Sequence, residues 1–249
     1  MGEKEYENLI KKFQAIPDRK IRCYIFAEKI LQFELEKTSI FLEENIKESY
    51  KGNKMAIEIL FTLVDILESI YDKDLSKRVI DKLKEISTSN VTLKHIIFPP
   101  KAHKFLKKGE VEITDIKMDY LPLGVKRSLA KKLDVFILRR MIFEKDPIVI
   151  KHLLANPLVC EKDVLKISSI RPTTQAVIKT IYESNKWINY YSVKESIIKN
   201  PYTPFRIALI LMFYMKKQEL ESISKDETLH PELRFEAKKM IILRKTKMD

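Results

Sequence analysis

The segment Asn185-Lys186-Trp187-Ile188-Asn189-Tyr190-Tyr191 holds the only tryptophan of the chain and two of its ten tyrosines. Arg171, Lys179, Lys186, Lys194, Lys199 and Arg206 lie close by in sequence. Aromatic rings interleaved with cations suit stacking on bases and stacked nucleotides, or a protein-binding hot spot. The competing reading is that Trp187 fills the gap where one helical layer meets the next. A second basic stretch runs Lys126-Arg127, Lys131-Lys132 and Arg139-Arg140. Arg127 and Lys131 are one helical turn apart, and Lys132 and Arg139 two turns apart if the helix continues. On one face they form a stripe that follows phosphates, or an ordinary solvated face.

Other reactive residue types lack the partners that catalysis needs. The histidines are His95, His103, His152 and His230, and none stands in H-E-x-x-H or beside a cysteine pair. His152 and Cys160 flank one turn, but two ligands do not make a metal site. Cys160 opens a helix, where a thiolate is favoured, yet Glu161 beside it opposes that charge. Cys23 and Cys160 read as small buried apolar residues rather than a disulfide framework. G-x-S-x-G, Walker A and G-x-G-x-x-G patterns are all absent. The expectation is a protein that is not an enzyme, with no catalytic residue, cofactor or metal.

The elements that would position these groups are helices. Glycine occurs only four times in 249 residues, which argues against phosphate-cradling loops and all-β folds. The longest apolar run, Ile207–Tyr214, falls far short of the roughly 20 residues of a membrane span. Met1 to Gln14 is charged and lacks the apolar core of a signal peptide, so a cytoplasmic location is expected. Charge is uneven: residues 1–98 carry 17 basic and 17 acidic side chains, and residues 99–249 carry 30 and 18. A basic half attached to a neutral half suggests a polyanionic partner; a Lys-rich composition of genomic origin is the plainer explanation.

Helical spacing of apolar residues predicts a helix over 3–14, a long one from Pro17-Asp18 towards Ile46, one over 54–71 capped by Asn53, and one over 74–87. Residues 91–123 read as irregular around Pro99-Pro100, with one short helix over 101–107 and imperfect strand-like alternation over 109–118. From Leu121 on, short helices are expected at 124–132, 134–143, 147–154, 161–169, 174–184, 190–199, 204–214, 217–224 and 231–243. Asp146-Pro147, Asn156-Pro157, Arg171-Pro172, Asn200-Pro201 and Asp226-Glu227 punctuate them. Asn156-Pro157 and Asn200-Pro201 stand 44 residues apart, and Val164-Leu165 and Ala208-Leu209 follow at equal offsets. Asp226 begins a third echo, with Leu229 at the offset of Val159 and Thr203.

On these turns and apolar positions, residues 121–243 resemble the degenerate HEAT/armadillo-like repeats of bacterial proteins. The resemblance implies an all-α fold: an N-terminal helical bundle or cap (1–98), an irregular linker (99–120) and HEAT/armadillo-like helical repeats (121–249). It also implies an interaction surface rather than a chemistry. Two functions are carried forward. The first is a scaffold or adaptor that binds a protein partner. The second is a nucleic-acid-binding repeat protein, with HEAT-like DNA glycosylases as an enzymatic extreme; Asp163, Glu183 and Glu195 are the acids nearest Trp187 for that variant. Candidate partner-binding residues are Arg127, Lys131, Arg171, Lys186, Trp187, Tyr190, Tyr191, Lys194 and Arg206.

Overall fold

The structure is a computed structural model that describes Phe13, residues 15–105 and residues 115–245. Among the described residues it is all-α, with 15 helices and no strand. The chain divides into two compact units. The first comprises Met1–Pro100, Leu209–Glu221 and Phe235–Asp249; the second comprises Lys101–Ala208 and Ser222–Arg234.

In the first unit, α1 (Arg19–Gln32), α2 (Leu35–Tyr50), α3 (Lys54–Leu67), α4 (Lys73–Leu83) and α5 (Val91–Ile97) succeed one another. Asp18, Asn53, Asp72 and Asn90 cap α1, α3, α4 and α5 through side-chain oxygens that accept first-turn N–H groups. Gly52 adopts φ +81°, a left-handed turn that a residue with a Cβ resists, between α2 and α3. Every residue of α3 from Ala56 to Leu67 is buried except Glu58, because α1, α2 and α4 all pack against it. Asp65 on this helix is buried with Arg19, whose guanidinium grips it with two nitrogens and lies 4.6 Å from the Phe61 ring centre. Such a pair is stable only with this geometry, since either charge alone would be stranded.

The single long helix expected towards Ile46 is two helices. Phe33 and Glu34 are extended, and Lys82 of α4 donates to the Leu31 carbonyl (2.9 Å) and to the Phe33 carbonyl. A cation about fifty residues away thus satisfies the helix end, which local periodicity does not reveal. Val91–Ile97 is helical where the sequence read as irregular, and Asn90 caps its start. Residues 101–105 are not helical, against expectation, and the rest of the helix expected over 101–107 lies outside the described residues. The helix expected over 3–14 also lies outside them, apart from Phe13, as do residues 109–114 of the alternating stretch; Lys117 and Met118 are helical.

The last helix, α15 (Pro231–Lys245), places Glu236 inside the first unit. Tyr50 donates to its Oε2 at 2.6 Å, Thr92 to its Oε1 at 3.0 Å, and His95 Nδ1 lies 3.6 Å from Oε1. Lys239 reaches Thr92 at 2.9 Å. Burial alone would raise the Glu236 pKa, but His95 beside it, the bonds from Tyr50 and Thr92 and the Lys239 charge outweigh it and hold the carboxyl below its ordinary range.

The second unit contains α6 (Ile116–Asp119), α7 (Leu123–Leu129), α8 (Val135–Met141), α9 (Pro147–Ala155), α10 (Glu161–Ser169), α11 (Gln175–Glu183) and α12 (Tyr191–Ile198), and α13 (Phe205–Met212) begins in it. Packing skips a neighbour: α7 lies on α9, α9 on α11, and α10 on α12. α9, α11 and α13 open at Pro147, Gln175 and Phe205, so odd-numbered helices recur every 28 to 30 residues. The step is two helices. The 44-residue offset seen in the sequence joins unlike turns, because Asn156 follows an odd helix and Asn200 an even one.

Candidate functional site

Short helices leave much of the chain in turns, and the turns of the second unit form two rows. Asn156 lies in the turn after α9. Its Nδ2 donates to the carbonyls of Ala130 (3.0 Å) and Lys132 (2.8 Å), in the turn after α7, and its Oδ1 accepts from Leu158 N–H (3.1 Å). Trp187, in the turn after α11, donates Nε1–H to the Leu154 carbonyl at 2.8 Å. These contacts stitch together a first row of turns, after α7, α9 and α11. Asn200 repeats the device in a second row: Nδ2 donates to Ser168 (2.8 Å) and Ile170 (3.1 Å), and Oδ1 accepts from Tyr202 N–H (3.1 Å). The nine residues of α9 hold the two rows roughly 13 Å apart.

The backbone of these turns is shared. Val159, Thr203 and Leu229 N–H groups bond to the carbonyls of Asn156, Asn200 and Asp226, at 3.2, 3.0 and 3.1 Å. Trp187 N–H bonds to the Ser184 carbonyl at 3.1 Å. Trp187 therefore stands at the inward fourth position of its turn, where the other turns place Val159, Thr203 and Leu229, all buried.

This geometry sorts the candidate residues. Trp187 is only 2% exposed and presents no face to a ligand, while Lys186 lies over its ring at 4.1 Å and Tyr190 tilts against it at 5.5 Å. Tyr190 is exposed and Tyr191 half-buried as the first residue of α12. Lys194 reaches the Asn189 carbonyl at 3.3 Å. Lys131 is exposed in the turn after α7, on the same row as Lys186. Arg127 turns inward to Asp146 at 3.5 Å. Arg171 belongs to the second row, where it donates to the Lys199 carbonyl, and Arg206 is buried in α13. The row brings Lys131, Lys186, Tyr190 and Lys194 to one edge; Arg171 and Arg206 do not join them.

The stripe expected from Arg127 to Arg139 does not exist as one helix face. α7 ends at Leu129, so Lys131 and Lys132 stand in a turn, and Arg140 is drawn to Asp115 at 2.6 Å. What the sequence missed is the apolar company of these cations. Leu133 is 70% and Phe136 80% exposed, and Leu158 is exposed beside Asn156. A large ring placed at a turn boundary was the available signal.

The His152 imidazole pKa is lowered by burial and then by the charges of Lys131, Arg127 and Lys151, against an opposing contribution from Asp146. The Cys160 thiol donates to Asp163 Oδ2 at 3.1 Å, and Glu161 accepts from Ser192. Among the described residues no group of three or more His, Cys, Asp or Glu could hold a metal ion, and no helix is long and apolar enough to cross a membrane. Compared with protein families, curated proteins and solved structures, the chain finds no match in any of the three.

Proposed function

We propose that the chain is a non-enzymatic HEAT/armadillo-like repeat protein, and that the first row of turns in its second unit binds a protein partner. The observation that carries the reading is the mixed character of this edge. Lys131, Lys132 and Lys186 alternate with exposed Leu133, Leu158 and Tyr190. Interfaces between proteins combine an apolar centre with a charged rim, whereas a phosphate backbone asks for cations and hydroxyls. Stacked helix pairs are also suited to this use, since each step adds one turn to a continuous edge.

Nucleic acid remains the second reading, favoured by the basic excess of residues 99–249, 30 Lys and Arg against 18 Asp and Glu. Affinity capture from a nuclease-treated lysate separates the two. The expected result is a defined protein set held by the native chain and by a Lys54→Glu/Lys73→Glu/Lys77→Glu control. The same set is lost from Lys131→Glu/Lys132→Glu/Lys186→Glu. Capture unchanged by the edge substitutions sinks the reading, and capture abolished by nuclease favours nucleic acid.

A further inference from the structure

Among the described residues, the outward face of α8 carries exposed apolar side chains beside cations. Val135, Phe136 and Arg139 share it at helical spacing, with Leu133 just before them. Phe136 at 80% and Leu133 at 70% exposure stand with exposed Val135 as neighbouring apolar side chains, and it is such grouping rather than a single exposed residue that marks an interaction surface. The corresponding second residue of α10 is Lys162 and of α12 is Ser192, so the stack itself does not require an apolar group there. Tyr120, 84% exposed, ends the short α6, which Arg140 ties to α8 through Asp115.

Charge says what fits this face. Most acids on the neighbouring elements are engaged: Asp115 with Arg140, Glu144 with Lys126, Asp146 with Arg127, while Asp134 caps α8; Asp119, beside Tyr120, is exposed. Lys131, Lys132 and Arg139 are exposed with no carboxylate partner among the described residues. Three uncompensated cations thus flank a patch of three apolar side chains.

We infer that α8 is the docking site for an acidic amphipathic helix of a partner protein. The partner's apolar stripe covers Leu133, Val135 and Phe136, and its flanking Asp or Glu side chains meet Lys131, Lys132 and Arg139. This recognition is helix against helix face, read through anchors one turn apart. The inference rests on the protein-binding reading above and assigns its partner chemistry and its anchor.

A displayed library of helical peptides, with a fixed apolar stripe and randomised flanks, is selected against the full chain. Enriched peptides are expected to carry Asp and Glu on the flanks. Each is expected to bind Phe136→Asp at least about tenfold more weakly, the scale of a lost central anchor. Lys132→Glu/Arg139→Glu is expected to shift selection towards basic flanks. Phe136 is exposed, so an unchanged melting curve for Phe136→Asp confirms that folding is intact; Phe136→Ala gives a second variant. Failure to enrich, enrichment without acidic bias, or binding indifferent to Phe136→Asp overturns the inference. A native chain that sediments as a dimer and becomes monomeric in Phe136→Asp also overturns it, because a second copy then covers the face. If the lysate proteins persist on Phe136→Asp but leave the Lys131→Glu/Lys132→Glu/Lys186→Glu variant, the edge reading stands and the α8 inference alone fails.

Discussion

A buried asparagine sits in each row of turns, and its amide is fully used. Asn156 spends both N–H donors on carbonyls of the preceding turn and its oxygen on Leu158 N–H. Asn156→Ala strands two carbonyls and is expected to cost about 1–3 kcal/mol. Asn156→Asp is expected to cost more, since a carboxylate has no donor and faces those same oxygens. Urea midpoints should fall in the order Asn, Ala, Asp; an Asp variant as stable as the native chain contradicts the account. Trp187→Ala is expected to lose about 3–5 kcal/mol by leaving a cavity, and Trp187→Phe less, although it too forfeits the bond to Leu154. Loss of binding on Trp187→Ala therefore reports unfolding rather than contact. At the surface, the Arg140 guanidinium holds the Asp115 carboxyl down at about 2. Carbon-13 NMR should show Asp115 ionised to that pH, and Arg140→Ala should raise it towards the ordinary value near 4, short of it because the Lys117 and Met118 N–H bonds remain.

At the scale of elements, α15 is fastened within the first unit by a buried carboxylate. Glu236 accepts from Tyr50 and Thr92, with His95 and Lys239 beside it. Its folded pKa is lowered, so its contribution to stability is present above the unfolded carboxylate range and is lost as pH falls through the folded pKa. Stability should decline below about pH 4, and the decline should be shallower in Glu236→Gln. Equal pH slopes in the two proteins would remove Glu236 from the explanation. The helices themselves were legible because Asn53, Asp146-Pro147 and Asn156-Pro157 announce their own caps. Three things were not. The break at Phe33-Glu34 depends on Lys82 from another helix. α5 ends just before Pro99-Pro100, whose helix-breaking character made the whole stretch read as irregular. The two-helix step was hidden because Asn156 and Asn200 make identical bonds in different rows, so the eye pairs them at 44 residues. The candidate site was half legible for a related reason: sequence shows that Trp187, Lys186 and Tyr190 are adjacent, but only the turn shows which of them points inward.

The charge of the whole molecule offers the last discrimination. The net charge is +12, and residues 99–249 supply all of it. Any such protein attracts polyanions at low salt, so attraction alone says little about function. On the described first row, however, few cations stand free: Arg127 is committed to Asp146, and only Lys131, Lys132 and Lys186 are exposed on the turns without an ion pair. Each phosphate contact contributes about −0.7 to the slope of log affinity against log salt for a single strand. Three such cations predict a slope near −2 for oligothymidylate, against the steeper values of proteins that track many phosphates. Anisotropy between about 50 and 200 mM salt should therefore show binding that is weak and falls by a factor of roughly 20. The same salt range should weaken an α8-selected peptide much less, because Phe136 and Leu133 supply an apolar contribution that salt does not screen. A single-strand slope steeper than about −4 would mean that cations beyond this row converge on the ligand, and would return nucleic acid to first place.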